Sequence, residues 1–149
     1  MAAREAPVGY PPALRSCNDM QPRRDIMFEL IVERHFSAAH CLREYEGACA
    51  RVHGHNYRVE VAVVAQELSP LGFVMDFGDL KALCDAVLDE MDHRMLNELE
   101  PFTHQNATSE NIARHIHGRM KSALSQGPVS IKHVRVWETP EQSAIYREE

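Results

Sequence analysis

The sequence predicts an α+β domain in which two strands are followed by two helices and two further strands. Three observations predict this order. Apolar residues alternate at a period of two in residues 28–36 and 57–65. Residues 76–91 and 108–126 instead carry apolar residues at the spacing of amphipathic helices. The chain then returns to alternation in residues 129–148, where a turn divides two strands into a hairpin.

The first 26 residues are expected to form a flexible extension that precedes the fold. They contain four prolines, little periodicity and no apolar run of the kind found in secretory signals. A transit peptide is the alternative, and the acidic residues Glu5 and Asp19 make it the weaker one. We therefore expect one folded domain over residues 27–149.

The two helices have recognisable boundaries. Asp76 precedes the first helix, and its carboxylate can accept hydrogen bonds from the first turn. Thr108 opens the second helix with Glu110 in its first turn, and the Gly-Pro pair at 127–128 ends it. Cys84 falls on the apolar stripe of the first helix, which favours a small core residue over a functional thiol.

Composition limits the partners and the location of the protein. At 149 residues and 44% hydrophobic, the chain suits one compact domain with a real core. A net charge of −6 without a Lys/Arg-rich run argues against nucleic acid and against an anionic membrane as the main partner. No apolar stretch approaches the roughly 18 residues of a membrane span, so a soluble protein is expected. Without a secretory signal, the four cysteines are expected to be reduced thiols in the cytoplasm.

Three histidines give the strongest chemical signal. His53 and His55 are two residues apart, so in an extended segment their imidazoles point to the same side. His40 closes the segment after the first strand, where a neighbouring antiparallel strand can bring it opposite them. The stretch from 37 to 54 is otherwise predicted to be irregular. Three imidazoles leave one position of a tetrahedral zinc site vacant, which is the catalytic pattern. The spacing alone is equally compatible with surface histidines.

Cys49 decides what kind of zinc site this is. It stands four positions before His53. As a fourth ligand it would seal a structural Cys-His₃ site, and as a neighbour it would leave the metal open for chemistry. The spacing forbids neither arrangement.

Two acidic positions add to the site. Asp92 directly precedes His93 at the end of the first helix, where the pair can act as a proton relay. The alternative is a solvated helix end at which His93 complements the helix dipole. Glu138 lies near the end of a mainly apolar strand, where it can either hold a heterocycle through two hydrogen bonds or remain solvated.

Six stretches occur together, in one order, over nearly all of residues 27–146. They are "FSAAH" (36–40), "CARVHGHNY" (49–57), "GFVMDFGDLK" (72–81), "LDEMDHRMLN" (88–97), "NATSENIA" (106–113) and "VWET" (136–139). The chain thereby resembles the 6-pyruvoyl-tetrahydropterin synthase superfamily. The short gap from Cys49 to His53 resembles the family's bacterial branch, the 6-carboxy-5,6,7,8-tetrahydropterin synthases of queuosine precursor biosynthesis, because the mammalian-type enzymes have a longer gap.

The resemblance implies a fold and an assembly. It implies the tunnelling fold, a four-stranded antiparallel sheet with two helices on one face and the order ββααββ. It also implies that subunits assemble into an oligomeric barrel, typically a homohexamer, with active sites where subunits meet.

The resemblance also implies roles for individual residues. His40, His53 and His55 match the ligands of Zn²⁺. Cys49 matches the catalytic base. Cys41 departs from the family pattern, in which a non-cysteine follows the first ligand, and it leaves a second thiol near the metal.

The remaining matched positions concern proton transfer and the substrate ring. Asp92 and His93 match the relay partners of the base, and Glu138 matches the anchor of the pterin. Thr108, Ser109 and Glu110 match family positions that line the pterin pocket.

The implied reaction is a zinc-dependent carbon–carbon lyase reaction on 7,8-dihydroneopterin triphosphate. Triphosphate is eliminated, and a retro-aldol-like cleavage releases acetaldehyde and leaves 6-carboxy-tetrahydropterin. One alternative is the pyruvoyl-type synthase, a carbon–oxygen lyase that stops before the cleavage, and another is a non-catalytic zinc-stabilised assembly module. Since substrate and protein are both negative, local cations must hold the phosphates, and Arg43, Arg51 and Lys81 are candidates.

Overall fold

The structure, a computed structural model, describes residues 27–149, so the extension predicted for residues 1–26 lies outside the described part. Its strands are β1 Phe28–His40, β2 His53–Ala65, β3 Arg94–Met95, β4 Ser130–Thr139 and β5 Gln142–Tyr146. Its helices are α1 Phe77–Leu88 and α2 Ser109–Ala123. The strands form one sheet in the order β3-β1-β2-β4-β5. The predicted α+β class and the order of the main elements are confirmed.

The sheet is built on the antiparallel pairing of β1 with β2. The register runs without interruption from Phe28 opposite Ala65 to His40 opposite His53. Because side chains alternate along a strand, one face of the sheet is apolar and buried, and both helices pack on it. We call the opposite face, which carries residues such as His35, the open face of the sheet.

Both helices begin as the sequence predicts. The Asp76 carboxylate accepts a hydrogen bond of 2.6 Å from the Gly78 backbone, and the Thr108 hydroxyl accepts one of 3.3 Å from the Asn111 backbone. Cys84 lies in the core under α1, where burial raises the pKa of its thiol to about 12. Neither helix of the described residues is long and apolar enough to cross a membrane.

The prediction of a four-stranded antiparallel sheet is wrong in one respect. The two-residue strand β3 runs parallel to β1 and pairs with residues 38–39, so the sheet is five-stranded and mixed. His93 adopts a left-handed backbone conformation with φ 56°, and its N–H donates to the Ser37 carbonyl at 2.6 Å. This turn lays the next two residues along the edge of β1. A strand of two residues is too short to produce a detectable alternation.

The stretch predicted to be irregular, 37–54, is shorter than expected. β1 continues to His40 and β2 begins at His53, so only residues 41–52 connect the strands, with one 3₁₀ turn at 48–50. Residues 37–39 are Ser, Ala and Ala, which are too small to show the apolar alternation of a strand. The extension of both strands places the histidines within the sheet instead of in a loop.

Candidate active site

The β1–β2 register brings the three predicted histidines together at one end of the sheet. His40 lies directly opposite His53, and His55 follows on the same face two residues later. The ring centroids are 4.5 Å apart for His40 and His53, 5.2 Å for His40 and His55, and 4.9 Å for His53 and His55. Pairing of β1 with β2 is therefore sufficient to bring the three histidines together; we call this group, with Glu138 described below, the cluster.

Backbone carbonyls fix the orientation of two of these rings. The Nδ1 atom of His40 lies 2.7 Å from the Ala107 carbonyl oxygen, and that of His53 lies 2.7 Å from the Arg51 carbonyl oxygen. A carbonyl can only accept, so Nδ1 carries the proton and Nε2 presents its lone pair. The Nε2 atoms of His40 and His55 are buried and have no hydrogen-bond partner within residues 27–149. Neutral imidazoles held in this way are suited to bind a metal ion.

Glu138, at the end of β4, completes the cluster. Its Oε1 atom lies 3.2 Å from His40 Nε2 and 3.3 Å from His55 Nε2. One ligand atom from each of these residues and from His53 lies within 4.8 Å of all the others. A tetrahedral metal with bonds of about 2.0–2.2 Å separates its ligand atoms by about 3.3–3.6 Å. The four side chains can therefore hold a metal ion.

The electrostatics of the cluster favour an ionised carboxylate among the imidazoles. The close contact with the His40 imidazole and, after it, the nearby imidazole of His55 hold the pKa of Glu138 below its usual range, against the effect of its partial burial. Burial lowers the pKa of His55. Burial also acts to lower the pKa of His40, but the contact with the Glu138 carboxylate and the hydrogen bond to the Ala107 carbonyl outweigh it and leave that pKa raised. A proton and a metal ion therefore compete for His40 Nε2.

A cavity of about 220 Å³ opens beside the cluster. His40, His53 and Glu138 line one end of it, and Cys49 lines it as well. The cavity also reaches the start of α2 and residues 142–144 of β5. A small molecule in this cavity would lie against the ligand atoms of the cluster.

Cys49 lines the cavity beside the cluster, and its thiol lies outside the group of four ligand atoms. It sits on the 3₁₀ turn of the connecting segment, where its carbonyl accepts a 2.8 Å hydrogen bond from the Leu42 N–H. Its thiol is half-buried and does not belong to the group of atoms that can share a metal. Cys41, the other thiol of this segment, is half-buried as well.

The start of α2 forms another wall of the cavity. Thr108, Ser109 and Glu110 all line it. Thr108 is the N-cap, so the two residues that follow it are fixed in the first helical turn. The preceding residue, Ala107, accepts the hydrogen bond from His40, which ties the wall directly to the cluster.

Asp92 and His93 form the predicted pair, but they do not line the cavity that holds Cys49. The two oxygens of Asp92 accept hydrogen bonds from the Ser37 backbone at 2.8 Å and from His93 Nδ1 at 2.7 Å. These bonds, the backbone one first, lower the pKa of Asp92. His93 is 81% exposed and borders the open face near His55. Within one chain the predicted proton-transfer residues are therefore divided between two surfaces.

Known proteins resemble this chain in sequence and in fold. Residues 29–149 match the family model described as 6-pyruvoyl tetrahydropterin synthase. The chain belongs to this family. It is 37% identical over 135 residues to a Bacillus subtilis protein named 6-carboxy-5,6,7,8-tetrahydropterin synthase, covering 85% of this chain and 90% of that protein. It is 39% identical over 109 residues to the Pyrococcus furiosus dihydroneopterin monophosphate aldolase, covering 73% of this chain and 88% of that one.

A solved structure of the family has the same fold. The Caenorhabditis elegans 6-pyruvoyl tetrahydropterin synthase superposes with a TM-score of 0.74 at 31% identity, covering 83% of this chain and 96% of that one. The family assignment made from the six stretches is thus confirmed.

Asn97 and Arg43 hold the segment after His40 in place. The sequence did not indicate this role for either of them. The Asn97 side chain donates to the Cys41 carbonyl and accepts from the Cys41 N–H, both at 2.9 Å, which fixes the chain just after His40. Arg43, a candidate phosphate ligand, instead donates to the carbonyls of Asn97 and Phe102 at 3.0 and 2.9 Å. Both side chains make contacts more than 50 residues away, and no local pattern signals these.

The geometry predicts different metal contents for two variants after loading with Zn²⁺. His53→Ala should lose metal, because it removes one of four converging ligand atoms. Cys49→Ala should keep about one metal per chain and an unchanged melting temperature, because its thiol is outside the cluster. Metal is measured by elemental analysis of the purified protein, with Cys41→Ala as the matched control. A metal-free, destabilised Cys49→Ala protein would mean that Cys49 is a ligand.

Proposed function

We propose that the chain is a 6-carboxy-5,6,7,8-tetrahydropterin synthase. It would convert 7,8-dihydroneopterin triphosphate to 6-carboxy-tetrahydropterin, acetaldehyde and triphosphate with Zn²⁺ as its metal. The observation that carries this proposal is the His₃-Glu cluster opening into a cavity that also holds a thiol, in a chain 37% identical to the Bacillus subtilis protein of that name. We also propose that the enzyme acts on this small-molecule substrate in the cytoplasm.

His40, His53 and His55 are the proposed zinc ligands. All three can offer a neutral imidazole nitrogen, which zinc prefers, and two are oriented by backbone carbonyls. Zn²⁺ bound there would supply Lewis acidity toward the hydroxyl groups of the substrate side chain. Glu138 lies against two of the ligands, where it can accept a proton released from a hydroxyl group.

Cys49 is the proposed base for the carbon-bound protons. Its thiol borders the same cavity as His40 and His53, so a substrate held at the cluster would present its side chain to it. A thiolate positioned in this way moves protons without blocking the metal, because it is outside the ligand group. Its place outside the ligand group supports a site in which the three imidazoles hold the metal and the thiol stays free for proton transfer.

The carboxylate that recognises the pterin ring is better assigned to Glu110 than to Glu138. The family resemblance matches Glu138 to the pterin anchor, but its Oε1 atom is turned toward the imidazoles of the cluster. Glu110 lines the same cavity away from the cluster and has no ion-pair partner within residues 27–149. Its two oxygens can accept the ring N–H and amino hydrogens, with Thr108 and Ser109 beside them.

Asp92 and His93 are proposed to serve the cavity of a second copy of the chain. Their hydrogen-bonded geometry suits proton transfer, yet they do not line the cavity of Cys49. A homo-oligomer, expected to be a hexamer, would bring the exposed His93 of one chain to the Cys49 of another. The expected barrel would thus complete the site.

The product distinguishes this function from its alternatives. Purified, metal-loaded protein incubated with 7,8-dihydroneopterin triphosphate should release acetaldehyde and triphosphate in equal amounts, and removal of the metal with a chelator should stop both. Products are measured by mass spectrometry and by a coupled acetaldehyde assay. Triphosphate without acetaldehyde would instead identify a pyruvoyl-type synthase, the activity named for the Caenorhabditis elegans relative. Absence of any turnover would favour a non-catalytic assembly module.

Two matched substitutions separate the roles of the carboxylates. Glu110→Gln should weaken binding of neopterin by about 1.5–3 kcal/mol, because it replaces a charge-assisted acceptor with a donor, and should leave metal content unchanged. Glu138→Gln should bind neopterin nearly as well as the parent chain and lower turnover. Binding is followed by pterin fluorescence. If Glu138→Gln loses neopterin and Glu110→Gln does not, Glu138 is the ring anchor.

The shared site predicts complementation between two inactive chains. Cys49→Ala and His93→Ala should each be inactive alone. Mixed in equal amounts under conditions that exchange subunits, they should recover about a quarter of the parental activity, since half of the cavities keep Cys49 and half of those face an intact His93. Exchange is verified by native mass spectrometry. Exchanged oligomers without activity would place the pair and Cys49 in one chain.

A further inference from the structure

His117, on α2, is a buried polar side chain that the proposed function does not use. Among the polar and charged residue types, only His40 and His117 are buried within residues 27–149, each with 2% of its surface exposed. The burial of His40 is explained by its place in the cluster. Neither ring nitrogen of His117 has a hydrogen-bond partner within the same residues. Because buried polar groups are nearly always paired, this imidazole points to a partner from outside the described chain.

The imidazole borders a cavity of about 350 Å³, which we call the His117 cavity. The cavity lies between the second half of α2, the start of β4 and the segment after β5. It shares no lining residue with the cavity beside the cluster. Its walls combine three aliphatic side chains with a few polar groups, and the aliphatic ones are Leu124, Val129 and Ile131. A ligand with an apolar body therefore fits it.

The charges around the His117 cavity cancel. Lys121 and Glu148 line it and form an ion pair with each other. Burial lowers the pKa of His117, which keeps the imidazole neutral. Within residues 27–149 no further charged side chain lines the cavity. Because an ion of either sign would meet one attracting and one repelling group, the cavity favours an uncharged ligand.

The gap between His117 and Glu148 has the width of one bridging oxygen atom. His117 Nδ1 lies 3.9 Å from Glu148 Oε1, which is too far for a direct hydrogen bond. An oxygen about 2.8 Å from each atom would form an angle of about 90° with them. A hydroxyl placed there can accept from Nδ1–H and donate to the carboxylate. The Tyr146 hydroxyl lies 3.5 Å from the same carboxylate oxygen, which leaves that oxygen able to accept a shorter bond.

We propose that the His117 cavity binds a small uncharged aromatic alcohol, with its hydroxyl bridging His117 Nδ1 and Glu148 Oε1. The ring of this ligand contacts the aliphatic walls. A rigid ring fits better than a flexible aliphatic alcohol of the same area, because it loses less conformational freedom when it enters. The proposal does not depend on the proposed function, since the two cavities have no residue in common.

Phenol is the probe, and toluene, which has the same ring without the hydroxyl, is the matched ligand. Both are titrated into the metal-loaded full chain and followed by ligand-observed NMR. His117→Leu should weaken phenol binding roughly 10-fold, because it removes one side of the hydroxyl bridge, and should not weaken toluene binding. Its melting temperature should equal or exceed that of the parent chain, because the substitution removes a buried unpaired polar group.

Two further variants complete the experiment. Glu148→Ala removes the other side of the bridge and should also weaken phenol selectively. Since the Glu148 side chain is 44% exposed, this variant decides if His117→Leu fails to fold. Glu110→Gln, which alters the cavity beside the cluster, is the control and should bind phenol like the parent chain.

Four results would overturn the proposal. The first is parental phenol affinity in both His117→Leu and Glu148→Ala. The second is an equal loss of phenol and toluene, which would mean that the hydroxyl is not recognised. The third is loss of phenol in Glu110→Gln alone, which would place phenol in the cavity beside the cluster. The last is absence of phenol binding at millimolar concentrations, which would mean that water alone bridges His117 and Glu148.

Discussion

The register between β1 and β2 is the constraint on which the rest of the molecule depends. Every residue of β1 faces a fixed partner in β2, and the last pair is His40 with His53. A slip of one residue would turn the histidines to the open face and would also expose Tyr57 and Val59, which are fully buried. The core therefore enforces the geometry of the cluster, and a polar site is positioned by apolar packing.

The sequence predicts what local periodicity and short spacing encode. Two histidines at a period of two had to share a face, and the caps at Asp76 and Thr108 follow from the residue types alone. Glu138 was placed on the correct strand but not at the cluster, because its position depends on how β4 pairs with β2. Arg43 shows the same limit, since nothing near it in sequence signals that its guanidinium fastens a distant loop.

The charges around the cluster are arranged asymmetrically. Glu110 borders only the cavity on the buried face, Glu138 borders both faces, and Arg58 and Arg94, which form no ion pair within residues 27–149, border only the open face. A ligand with a donor-rich ring at one end and an anionic chain at the other would experience opposite fields along its length.

The hydrogen bond from His40 to Ala107 has a thermodynamic consequence. It joins a ligand of the proposed metal to the residue just before Thr108, where α2 begins and the cavity wall is formed. If the metal orders one end of this bond, it also orders the other, so metal occupancy and ligand binding at the helix start would be linked equilibria. Linkage is reciprocal: a ligand that touches only the helix start would tighten metal retention by the same factor by which the metal tightens that ligand.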